Sequence, residues 1–266
     1  IDDVSEQVAA LALQGPTSAR LLAAVSDLPT RTLKYFHAAA GQIAGVPVEV
    51  TRTGYTGDLG YELWMPWHRA VEVWDALVEA GRSHGLRPAG MLALDVARVE
   101  AGLLLIDVDF HSSRKASIDS QMYSPFELGL GRLVASSKGP YVGKAALERE
   151  RQAGHRRQIV GLDVRWTDVE ALYNAVGLPP TAPAAASRVA VPVYKDRVQV
   201  GKATTTAWSP TLKRLIALAT VDRPHFADGS TLQIEITVEA VRHTATATVV
   251  PTPFLKLARR TAMPEW

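Results

Sequence analysis

Along the first part of the chain, apolar positions recur with two periods. VAALAL (Val8 to Leu13) is a short apolar run stopped by Gly15-Pro16, which predicts a buried strand. PTSARLLAAV follows, with Pro16 near a helix start and Leu21, Leu22 and Val25 spaced as in a short amphipathic helix. The run from Gln42 to Arg52, containing VPVEV, and YELWM (Tyr61 to Met65) flank a glycine-rich turn and predict a hairpin. HRAVEVWDALVEAG predicts a helix with Ala70, Val71, Trp74, Leu77 and Val78 on one face and Gly81 as its stop. A second helix follows from Ala89 in AGMLALDVARVEAG. This order of elements predicts an α+β layer, with helices on one face of a mostly antiparallel sheet.

From Asp107 to Val134 the pattern is mixed and assigns no element. After Gly154 the character changes. IVGLDV, RVAVPVY, VQVGKATTTA, LIALATV, TLQIEITVEAV and HTATATVV are β-branched and broken by turn residues at short intervals, which predicts an all-β barrel or sandwich. LPPTAPAAAS (Leu178 to Ser187) is too rich in proline and alanine for a strand and is expected to be an exposed loop. The change in pattern divides the chain near residue 153, into a region 1–153 and a C-terminal region 154–266.

Composition narrows the function classes. A length of 266 residues allows two domains with cores of their own, and 47% hydrophobic against 21% charged residues argues against disorder. The net charge of +2, with both signs interspersed, gives no reason to expect nucleic acid as a partner. The absence of cysteine excludes disulfides, thiolate zinc sites, iron-sulfur ligation and cysteine nucleophiles, and makes a cytoplasmic setting the default. No apolar run approaches the roughly 20 residues of a membrane span, so a soluble protein without a membrane partner is expected. The chain opens on Ile1 rather than methionine and reads as processed or truncated.

The stretch TRTGYTGDLGYEL (Thr51 to Leu63) carries the most chemistry. Gly54, Gly57 and Gly60 serve either a tight hairpin or the close approach of backbone to a ligand. On the strand that follows, Glu62 and Trp64 share one face while Tyr61 and Leu63 take the other. A carboxylate beside aromatic rings suits a flat heterocycle presenting paired N–H donors, as guanine and pterin do; a solvated strand acid is the alternative. Asp107, Asp109 and His111 alternate as hard metal ligands could along one strand face, although such triplets are usually not sites. Arg98 and Glu100 lie two apart on a helix, where they do not face each other, and structural ion pairs are the plain expectation for each. No nucleophile elbow, phosphate loop or zincin helix motif is present.

The chain resembles the aminomethyltransferase (T-protein) family of the glycine cleavage system, which includes demethylase and sarcosine or dimethylglycine oxidising relatives. The blocks that carry the resemblance are LALQGPTSARLL, TRTGYTGDLGYEL, AGMLALDVARVEAGLLL, SPFELGLGRLV, YVGKAAL and VGKATTTAWSPTLKRLIALATV, in this order over most of the chain. The resemblance implies an α+β folate-binding region followed by a C-terminal β-barrel, and tetrahydrofolate as cofactor. It places the tyrosine of the G-Y-T-G turn at Tyr55, the pterin-recognising glutamate at Glu62, and the R-x-E-A-G helix at Arg98 and Glu100. The cofactor-binding set expected is therefore Tyr55, Glu62, Trp64 and Arg98, with no metal and the catalytic residue unassigned. The implied function is tetrahydrofolate-dependent transfer of an aminomethyl or methyl group from a small-molecule or carrier-bound donor. A lipoyl carrier protein is the expected partner if the chain is a true aminomethyltransferase. The alternatives are a non-catalytic folate-binding protein of the same fold, whose hallmark turn has a cysteine that is missing here, and a purely structural module. Two departures bear on activity. Leu94 stands before Asp95 where aminomethyltransferases carry arginine, and the family's catalytic aspartate would precede Ile1.

Overall fold

A computed structural model describes residues 1–265 of the chain. Backbone contacts divide it into two compact units, residues 1–94 with the C-terminal segment from Lys256, and residues 95–255.

In the first unit, β1 (Val8–Gln14), β2 (Ala38–Ile43), β3 (Val46–Thr51) and β4 (Gly60–Pro66) form an antiparallel sheet in the order β1-β4-β3-β2. The helices α1 (Ser18–Val25) and α2 (Ala70–Gly81) share its core. Alternation decides the faces: Val46, Val48, Val50, Tyr61, Leu63 and Met65 are buried with Leu21, Leu22, Val73 and Leu77, while Ala10, Ala12, Glu49 and Trp64 lie on the open face. In the hairpin Val50 is paired with Leu63 and Thr51 with Glu62. That register sends Glu62 and Trp64 away from the core, as the sequence pattern predicts.

Three local expectations change. β1, expected as a buried strand, is an edge strand of the sheet in which only Leu13 is buried. The run from Gln42 is not one strand, because Ala44 (φ 50°) and Gly45 (φ 74°) make a two-residue turn between β2 and β3. On α2 the buried stripe is Val73, Leu77 and Gly81, with Val71 and Trp74 exposed. The helix is apolar around most of its girth, so spacing alone admits both stripes. The stripe that is buried presents slimmer side chains to α1 and the sheet, and Trp74 is turned out.

α3 (Met91–Glu100) leads into the second unit, where turns and short 3₁₀ segments precede α4 (Lys144–Ala153). Six strands then close a barrel: β5 (Arg157–Val164), β6 (Val191–Lys195), β7 (Val198–Ser209), β8 (Arg214–Asp222), β9 (Thr231–Val238) and β10 (Val241–Val250), in the order β10-β5-β8-β7-β6-β9. Its interior alternates small with branched side chains, among them Ala203, Ala217, Ala219, Ala245 and Ala247 against Leu162, Val193, Leu232 and Ile234. Each apolar run predicted as a strand contributes to it, and Leu178 to Ser187 lies outside regular structure and is mostly exposed. The sequence pattern did not anticipate α5 (Trp166–Asn174), which packs on β9 and β10. Among the described residues no helix is long and apolar enough to cross a membrane.

Candidate functional site

The glycine turn is built around a side chain from β1. Gln14 Nε2 donates to the carbonyls of Thr53 (3.3 Å) and Tyr61 (3.2 Å), and its Oε1 accepts from the Thr56 hydroxyl (3.1 Å). A Cβ added at Gly54 or Gly60 would lie 2.1 or 2.0 Å from Gln14 Oε1. Those glycines therefore make room for this amide rather than for a ligand. Gly57 is needed for a different reason, its left-handed φ of 74°. The backbone of Gly15 and the hydroxyl of Ser18 both donate to the Leu59 carbonyl and close the turn from the same side.

On the strand that leaves the turn, the Glu62 carboxylate is held from one side only. Thr53 Oγ1 is 2.5 Å and Thr51 Oγ1 3.3 Å from Glu62 Oε2, and the two hydroxyls are 2.7 Å apart. Each hydroxyl has one proton, so the short distances make a relay: Thr51 donates to Thr53, and Thr53 donates to Glu62. Among the described residues Glu62 Oε1 accepts no hydrogen bond. Ala12, its neighbour on β1, adds nothing that would crowd it. Trp64 follows on the same face, 42% exposed, and Tyr55 is half-buried within the turn itself. The structure thus gathers Tyr55, Glu62 and Trp64 around one hairpin, with a fixed, half-satisfied carboxylate on an open face. Such a group can accept paired N–H donors from a flat ligand.

Arg98 is placed otherwise. It is 1% exposed, and its Nε donates to Asp95 (2.8 Å), its Nη1 to Asp109 (2.5 Å) and the Leu103 carbonyl (3.3 Å), and its Nη2 to Thr205 (2.9 Å). Asp109 in turn accepts from Thr204 and Thr205 at 2.8 and 2.7 Å. Consecutive threonines can serve one carboxylate because β7 carries a bulge between Ala203 and Thr205, which breaks the usual alternation. Arg98, expected as a ligand contact, spends these donors on its own chain, towards the barrel wall. Glu100 accepts from Ser209 at 2.5 Å, a buried hydrogen bond rather than an ion pair. Burial pushes the Asp95 carboxyl up, but hydrogen bonds and charge from Arg98 and Arg188 outweigh it and hold Asp95 below its ordinary value.

The metal reading of Asp107, Asp109 and His111 also changes. Asp107 has φ 63° in a turn, so the period-two face does not form. Asp107 pairs with Lys115 at the surface while Asp109 is buried against Arg98, and among the described residues no group of three potential ligands converges. A hollow of about 630 Å³ lies between residues 122–127 and α4, but its polar lining is already paired, Glu127 with Arg157 at 3.2 Å and Ser124 with Glu150 at 2.6 Å. Sequence reasoning missed Gln14 and Thr53; the LQG of β1 and the threonines flanking the turn were the signals available.

The family model described as the GCVT N-terminal domain matches residues 1–138, and that of the glycine cleavage T-protein C-terminal barrel domain matches residues 174–256. An aminomethyltransferase of Caldanaerobacter subterraneus subsp. tengcongensis is 35% identical over 89% of this chain and 56% of its own length. One of Halalkalibacterium halodurans is 35% identical over 96% of this chain and 62% of its own length. The chain thus spans about three fifths of the curated relatives it matches. The solved structure of glycine cleavage system aminomethyltransferase T from Bartonella henselae superposes with a TM-score of 0.73 at 23% identity, over 94% of this chain and 60% of that one.

Proposed function

The chain belongs to the glycine cleavage T-protein family, and from that premise we propose that it forms the pterin-recognising wall of a tetrahydrofolate-dependent one-carbon transferase. The observation that carries the reading is the Glu62 carboxylate, fixed through Oε2 by Thr53 and open at Oε1. An ionised carboxylate so held accepts the two parallel N–H groups of a pterin edge without having to order itself first. Trp64 beside it and Tyr55 in the turn supply flat apolar surface for the ring system. Bound tetrahydrofolate supplies the N5 nitrogen that takes up the aminomethyl or methyl carbon.

The part of this chain's own residues is to bind and orient. Holding the pterin at a fixed angle to an incoming donor contributes to rate through positioning. Arg98, Asp95 and Asp109 stay outside the ligand shell and brace the barrel wall. The donor is either a small amine or a group carried on a lipoyl protein, and the setting is the cytoplasm. The fitting test is isothermal titration of tetrahydrofolate into the wild-type chain and Glu62→Ala. Binding by the wild type with a loss of at least tenfold in the variant is expected, since a charged hydrogen-bond acceptor contributes about 1.5–3 kcal/mol. Equal affinity, or no binding by either, would defeat the assignment. A transfer assay on the same preparation separates catalysis from folate binding alone.

A further inference from the structure

Among the described residues after Lys256 the one regular element is the 3₁₀ turn Ala258–Arg260, yet the segment grips the glycine turn at two points. Arg259 donates through Nε and Nη2 to the two oxygens of Asp58, at 2.6 and 2.7 Å. At the entry to the turn, Arg52 is fully buried. Its Nη2 donates to the Ala262 carbonyl, and its Nη1 to the Leu33 carbonyl (3.0 Å) and toward Met263 Sδ (3.6 Å). Among the described residues no carboxylate pairs with Arg52, and its Nε has no acceptor. A buried guanidinium in that position depends on the few neutral acceptors it has, so removing the segment would leave a costly unsatisfied cation. Outside the turn, Arg260 Nε donates to Tyr35 Oη at 3.1 Å.

These contacts bracket the stretch that aims the carboxylate. Arg52 immediately precedes Thr53, the donor to Glu62, and Asp58 lies two residues before β4. Between them the backbone belongs to no strand, and Gln14 secures it on the β1 side. We infer that residues 259–263 are a strap that sets the conformation of the turn from Thr53 to Leu59, with Arg259 and Arg52 as positioning residues for Glu62. The consequence for ligand affinity rests on the tetrahydrofolate reading; the conformational coupling does not. The bidentate geometry makes the Arg259–Asp58 pair direction-specific, so lysine can replace the charge but not the fork.

Amide hydrogen exchange of residues 54–59, with tetrahydrofolate titration on the same proteins, tests the strap. The variants are Arg259→Ala, Arg259→Lys and the reversed pair Asp58→Arg/Arg259→Asp. Exchange is expected to rise by up to about fivefold in Arg259→Ala, the scale set by a partly exposed ion pair, to rise less in Arg259→Lys, and to return towards wild type in the reversed pair. Ligand affinity is expected to fall by a similar factor in Arg259→Ala. Unchanged exchange in Arg259→Ala, or a reversed pair no better than the alanine variant, would overturn the strap. Raised exchange in variants of a chain whose wild type fails to bind tetrahydrofolate would uphold the strap and defeat the folate reading.

Discussion

Glu62 in the first unit and Asp109 in the second are both carboxylates held by paired threonines, and their surroundings part them. Asp109 is fully buried, and its two oxygens are filled by Arg98, Thr204, Thr205 and the Leu105 amide. Glu62 is half-buried, takes the Thr53 hydrogen bond on one oxygen, and faces the open side of a sheet. A carboxylate whose lone pairs are all used by its own chain is a brace. One that is fixed and left half-satisfied is arranged for something that arrives later. The same contrast separates Arg98, whose Nε, Nη1 and Nη2 all donate to groups of its own chain, from Glu62, whose second oxygen accepts no hydrogen bond among the described residues.

The sharpest way to break this contrast is to empty the brace. Asp109→Ala removes one of the two buried carboxylates that pair with Arg98, leaving Asp95 to share with Arg188, and is expected to cost about 3–5 kcal/mol in denaturant unfolding. A loss below about 1 kcal/mol would show that Asp109 does not brace the barrel wall. The glycine turn gives a second, smaller effect. Gly60→Ala drives a methyl group into the Gln14 amide and is expected to cost about 1–3 kcal/mol, while Gln14→Ala/Gly60→Ala costs less than the sum of its parts. Strict additivity would remove Gln14 as the reason for that glycine. Smaller again on stability is Thr53→Val, which keeps the volume and removes the donor to Glu62. It is expected to leave unfolding within about 1 kcal/mol of wild type while weakening tetrahydrofolate binding about fivefold in titration.

The smallest effect is one of pH. The Asp95 carboxyl sits below its ordinary value of 3.8, so in the unfolded chain it takes up a proton at higher pH than in the folded one. Its contribution to stability is therefore complete above the ordinary value and is lost as pH falls below it through the lowered folded-state value. Unfolding free energy measured from neutrality down into that acid range should decline less steeply in Asp95→Asn than in the wild type. Identical slopes would count against the Arg98 and Arg188 pairing.

How far each region can be read from sequence follows from the distance over which its determinants act. The hairpin and the barrel strands are legible because period two is a local property, and it correctly turns Glu62 and Trp64 to the same face. The α2 stripe is not, since Val71 and Trp74 satisfy helical spacing as well as Val73 and Leu77 do, and only the partner surfaces choose between them. Asp109 escapes because a left-handed residue at Asp107 breaks the alternation on which a strand-face reading relies. The α5 helix carried a local cue, Asp168 in its first turn, but one helix among so many strand-like runs is easily passed over. Gln14 under the glycines and Arg259 on Asp58 act across 42 to 201 residues of sequence, where no local pattern points from one partner to the other.

If Glu62 meets the N–H edge of a pterin, a cycle combining a protein change with a ligand change will show it. Tetrahydrofolate and an analogue lacking the 2-amino group would each be titrated into the wild type and Glu62→Gln. The substitution is expected to weaken tetrahydrofolate by at least tenfold and the analogue by much less, a coupling of about 1.5–3 kcal/mol. Equal losses for the two ligands would mean that Glu62 does not touch that edge, and the reading of this hairpin as a pterin wall would be contradicted.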